Sequence, residues 1–132
     1  MKYDEFIKHV QTVAQLNSRE EAESVTRATL ETIKERIVGD EAKDLAAQLP
    51  KELAECLHGR EGEDGQHFPV EEFYQRVSEK EGAEPTTAVV HARAVFAVLQ
   101  DAVTPGEFAD VRANFSDDYA ELFATGSNNV KV

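Results

Sequence analysis

The chain has 132 residues, one domain's worth, with 26 acidic against 14 basic side chains and a net charge of −12. That excess disfavours nucleic-acid backbones and anionic membranes, because each neutralised phosphate requires a Lys or Arg. A lone cysteine, Cys56, forms no internal disulfide, and no stretch approaches the roughly 18 apolar residues of a bilayer span, so a cytoplasmic protein is expected.

Tyr3, Phe6, Ile7, Val10, Val13 and Ala14 recur at spacings of three and four and predict a first helix with one stripe on a core. Asn17-Ser18 breaks it, and Ser18 with Glu21 has the spacing of a capping box. The stripe Ala22, Val25, Thr29, Ile33 and Ile37 marks a long second helix, stopped near Gly39. Ala42, Leu45, Ala46 and Leu49 mark a short third helix ending at Pro50, since a residue before proline avoids the α region. Leu53, Ala54 and Leu57 face inward on a fourth. The stretch from His58 to His67 holds three glycines and no apolar residue, and reads as a linker. Beyond it, Phe68 and Pro69 open a fifth helix with Val70, Phe73, Tyr74 and Val77 inward. A sixth starts near Pro85 and carries Ala88, Ala92, Val95, Phe96, Leu99 and Val103; Pro105-Gly106 is the next break. Phe108, Val111 and Phe115 line a seventh, and Tyr119, Leu122 and Phe123 an eighth.

The second half repeats the first. Asp4-Glu5-Phe6 matches Glu71-Glu72-Phe73 at an offset of 67, and from Ala22 against Ala88 the offset is 66. At that offset Arg27 meets Arg93, Glu41 meets Glu107, Asp44 meets Asp110 and Ala54-Glu55 meets Ala120-Glu121. Apolar character persists where identity does not, which is the mark of a duplicated fold unit. The expected fold is all-α: two tandem four-helix repeats, 3–57 and 69–123, related by a pseudo-twofold and joined by a linker at 58–68. They form one helical domain over 1–123, with a flexible tail at 124–132.

YDEFIKHV, SREEAESVTRATLETIKERIVGDEAKDLAAQLPKEL and HARAVFAVLQDAVTPGEFADVRANF together resemble the bacterial domain of unknown function 2267 family, over about residues 3–123. The resemblance implies an all-helical two-repeat protein. It brings no catalytic residues with it.

The chain holds no glycine-rich phosphate loop, zinc-protease motif or nucleophile elbow. Cys56 and His58 lie two apart, too few and too divergent for a zinc site. The acidic linker residues Glu61, Glu63 and Asp64 lack calcium-loop spacing and read as solvated charge. No catalytic residue, cofactor or metal is expected. His91, where the twin position holds Val25, is a candidate perturbed histidine at the core edge. Arg27, Asp44, Arg93 and Asp110 are candidate structural pairs: each long helix supplies an arginine fork, and each short one, or another element of the same repeat, supplies its carboxylate. The function expected is non-catalytic, a structural or stress-associated protein that binds another protein, with self-association left open. A small-molecule or metal binder in the groove between repeats, and an acidic mimic of nucleic-acid charge, are the alternatives.

Overall fold

A computed structural model describes residues 1–124 and is all-helical, with no strand among them. The helices are α1 (Tyr3–Val13), α2 (Arg19–Arg36), α3 (Gly39–Ala46), α4 (Lys51–Ala54), α5 (Val70–Glu81), α6 (Pro85–Ala102) and α7 (Pro105–Arg112). Single 3₁₀ turns follow at Glu55–Leu57 and Asp117–Tyr119, the latter running into helix at 120–124. Beyond Ala124, the tail expected from sequence lies outside the described residues.

The long helices α2 and α6 cross at the centre. α1 covers both, α5 covers both from another side, and α3 packs on α7. Phe6, Val10, Ile33, Leu45, Leu49, Phe73, Val77, Phe96, Leu99, Val111 and Phe115, the stripe positions, are all buried in one continuous core. Period-3.6 spacing placed them on single helix faces, and burial of those faces drives the assembly. Between α2 and α5, Glu35 receives both Arg76 (3.1 Å) and Lys80 (3.0 Å).

Several helix ends differ from the sequence expectation. Gly39 and Pro105-Gly106 do not stop helices; they begin them. The breaks are two residues earlier, at Ile37 and Val103, whose backbones are extended. Gly39 is required there for space: a Cβ would stand 1.6 Å from the Arg60 carbonyl oxygen. Phe115 lies past the end of α7, and Phe68 precedes α5. Ser18 does cap α2, its hydroxyl accepting from the Glu21 amide at 3.1 Å. α1 ends with Gln15 at φ 55° and α5 with Gly82 at φ 73°, both left-handed.

The 58–67 stretch is docked. The Gly39 amide donates to the Glu63 carbonyl (2.9 Å), the Gln66 amide to Glu35 (3.0 Å), and the Gly62 amide to the Asp40 carboxylate (3.0 Å).

Arg36, at the end of α2, is 4% exposed. Its Nε donates to the Phe68 carbonyl (3.1 Å), Nη1 to the Asn114 carbonyl (2.9 Å) and Nη2 to the Ser116 hydroxyl (3.3 Å). The rings of Phe68, Phe115 and Tyr119 lie 5.2–5.9 Å from the guanidinium carbon. Truncation would strand the Asn114 carbonyl, take one of two donors from the Phe68 carbonyl and empty the site among the rings. Arg36→Ala is expected to cost about 3 kcal/mol in urea unfolding, and Arg36→Lys to recover little of it, because an ammonium cannot reproduce the three-way fork. A cost within the range of an ordinary surface substitution would refute this. Gln15→Gly is expected to raise stability by a few tenths of a kcal/mol, up to about 1, since glycine adopts a positive φ without strain; the same urea curves read it.

Candidate functional site: carboxylates between α3 and α7

Each of these two helices is started by a side chain from across the seam. The Val38 amide, at the head of α3, donates to Asn114 Oδ1 (3.1 Å). The Thr104 amide, at the head of α7, donates to Gln48 Oε1 (2.9 Å), while the Thr104 hydroxyl accepts from the Glu107 amide (3.2 Å). These caps satisfy amides that a helix start leaves free, and they fix both first turns against one another.

The first turns carry Glu41 and Glu107. Oxygens of Glu41, Glu107 and Asp110 all lie within 4.8 Å of one another. Glu107 is only 8% exposed, and its Oε2, like that of Glu41, has no hydrogen-bond partner outside the Glu41–Glu107 pair. None of the ion pairs among the described residues includes Glu41, Asp44, Glu107 or Asp110. Burial, then the Glu41 carboxylate alongside, then the charges of Asp44 and Asp110 push the Glu107 carboxyl up to about 8. The helix N-termini oppose that rise, and burial with like charge outweighs them. Two carboxyls this close can share a proton or hold a cation between them. The residues able to hold a metal are Glu41, Glu107 and Asp110.

The pairs expected from sequence do not form as drawn. Arg27 sets Nη1 3.8 Å from Cys56 Sγ and makes no ion pair with Asp44. Arg93 pairs with Glu121 at 3.0 Å, within its own half, and not with Asp110. The cause is helical phase: Arg27 looks toward the 3₁₀ turn after α4, whereas Asp44 and Asp110 lie by the α3–α7 seam. His91 is buried and places Nδ1 2.7 Å from Glu81 Oε1, a carboxylate partner that sequence could not supply. Burial pushes the Cys56 thiol up, against the pull of Arg27, and so away from the reactive thiolate. Sequence alone does not single out Glu41 and Glu107 as site residues. Their signal was present, as equal acids at the repeat offset, and it becomes a cluster only if the repeats meet on those faces.

Open grooves lie elsewhere on the surface. One, of about 350 Å³ between α1 and α6, is lined by Glu5, Lys8, His9, Val13, Val98 and Asp101 among others. Another, of about 470 Å³, lies by α7 and Phe123. No helix among the described residues is long and apolar enough to cross a membrane.

The model of one family, described as "Uncharacterized conserved protein (DUF2267)", matches residues 3–122. The chain belongs to the DUF2267 family. Among curated proteins none matches the sequence. The DUF2267 match runs through both α3 and α7, so the carboxylate cluster lies inside the family's own domain.

The titration of Glu107 has a signed consequence. Its folded value stands above the ordinary carboxyl value of 4.5, so the folded state holds the proton more tightly. The stabilisation is complete below about 4.5 and is lost as pH rises to about 8. In metal-free buffer, Glu107→Gln should match the wild type near pH 4.5 and exceed it above pH 8 by on the order of a few kcal/mol. Urea midpoints at the two pH values check this; a constant difference would refute it.

Proposed function

We propose that this DUF2267 protein is a cytoplasmic, non-catalytic helical scaffold of two duplicated four-helix units, and that it binds a basic segment of another protein. Support for the duplication comes from exchanging α1, α2 and α3 for α5, α6 and α7. Lengths then correspond, at 11, 18 and 8 residues against 12, 18 and 8. The contacts map onto themselves: α1 on α2 becomes α5 on α6, α2 on α5 becomes α6 on α1, and α2 on α6 and α3 on α7 are self-paired. The caps Val38–Asn114 and Thr104–Gln48 interchange at the offset of 66, and Gln15 and Gly82, both left-handed, correspond at 67.

The observation that carries the binding reading is where the positive charge goes. Arg36 is spent on carbonyls, Arg76 and Lys80 on Glu35, Arg19 on Asp4, Arg93 on Glu121 and Arg60 on Glu63. Arg112 turns to the carbonyls of Phe115 and Ser116. Exposed Glu52, Glu55, Glu71, Glu79 and Glu84 meanwhile join none of the ion pairs among the described residues. The net −12 is thus presented outward, and such a field steers basic partners. The α1–α6 groove gives that partner a seat: an apolar floor of Val13 (42% exposed), Ala97 and Val98 between the carboxylates of Glu5 and Asp101.

A Lys/Arg-rich peptide with a central aliphatic residue, titrated calorimetrically, tests the reading. Binding should weaken by about tenfold or more between 0.05 and 0.3 M salt and largely disappear in the Glu5→Lys/Asp101→Lys variant. Affinity that ignores salt, or survives the charge reversal, would overturn it.

A further inference from the structure

We propose that Glu41, Glu107 and Asp110 bind a hard divalent cation, Ca²⁺ being the best match, at the seam where α3 meets α7. This goes beyond partner binding in the α1–α6 groove and does not depend on it.

Three observations carry it. Three oxygens no farther than 4.8 Å apart can be drawn onto one ion, at the usual metal–oxygen distances of about 2.3–2.6 Å, by side-chain shifts of a few tenths of an ångström. Glu107 is more than nine-tenths buried, yet its Oε2, like Oε2 of Glu41, meets no donor outside the Glu41–Glu107 pair itself. A covered carboxylate oxygen without a donor is costly, and an ion in the cluster would satisfy both. Lastly, no Lys or Arg among the described residues forms an ion pair with this group, although basic side chains serve acids elsewhere.

Charge and donor type choose the ion. With the Glu107 proton displaced on binding, three carboxylates set against two helix N-termini of roughly half a positive charge each leave about two negative charges, which a dication balances. The donors are all oxygen, with no imidazole or thiolate to favour Zn²⁺ or Cu²⁺. Ligands drawn from two separate helices form an irregular half-shell. Asp110 is exposed, so water can complete it, and Ca²⁺ tolerates such a shell where Mg²⁺ demands a near-ideal octahedron. Asp44 adds its charge to the same field. Bound there, the ion would tie the first turn of α3 to that of α7.

The test uses the whole chain, stripped with EDTA, then titrated with CaCl₂ by calorimetry and by thermal melting at constant ionic strength. One Ca²⁺ per chain and a saturating rise in melting temperature are expected. Glu41→Gln and Asp110→Asn should each weaken binding about tenfold or more, and together abolish it. Glu61→Gln/Glu63→Gln, in the docked connecting segment, should leave it intact. Circular dichroism confirms that each variant is folded, and exposed Asp110 provides a substitution that does not disturb the core. Absence of saturable binding by the wild type would overturn the proposal. So would a double variant that keeps the full Ca²⁺ response, which would assign the effect to general screening of an acidic surface.

Discussion

The structure turns on a positive charge placed where water cannot reach it. Arg36 is enclosed without a carboxylate in ion-pair reach, so its charge is solvated by carbonyl dipoles, the Ser116 hydroxyl and aromatic faces. Such a group tolerates little displacement, because in a low-dielectric interior each lost donor contact leaves an exposed desolvation cost. Three chain segments must therefore meet at one point: the end of α2, the entry to α5 at Phe68, and the turn after α7. Tyr119 closes the arrangement by donating to the same Phe68 carbonyl at 2.7 Å. Asp118 holds the amide of Val70 at 2.8 Å and so caps α5 from the other end of the half. Its carboxyl is held low by the Ser116 hydroxyl and then by that amide.

Around this point the core is unequal. Phe73, Phe96, Phe115, Tyr119 and Phe123 form a connected set of edge-to-face and tilted rings. The positions that correspond to four of them in the first half are Leu30, Leu49, Leu53 and Leu57. Quadrupolar faces gather in one half of the chain and the guanidinium comes from the other, so the two halves are complementary in chemistry.

The stripes of α1, α2, α5 and α6 were legible because an amphipathic helix writes its buried face at a fixed period. The same period cannot say where α3 and α7 begin. Gly39 and Pro105 carry breaker chemistry, yet glycine serves there for a close approach to Arg60, and proline suits a first turn that needs no amide. Arg36 was illegible for another reason: a basic residue in the last turn of a helix is ordinary, and only tertiary structure reveals that it points inward. Sequence showed that acids recur at 41 and 107 and at 44 and 110, and that arginines recur at 27 and 93. Which recurring residues face each other depends on helical phase, and phase placed the acids together and sent the arginines elsewhere.

The docked connecting segment carries one more consequence. Chains built of similar halves are prone to exchange them between molecules, each half closing onto a neighbour's partner. Exchange requires the connection to extend, and here it is fastened at Gly39, Gln66 and Gly62. It also lies so close that a Cβ on Gly65 would stand 2.3 Å from the Arg36 carbonyl oxygen. Straightening it would break those bonds and unseat the end of α2 beside the buried arginine. Under the duplication proposed above, the connection works as a lock that keeps each half with the partner it was made with.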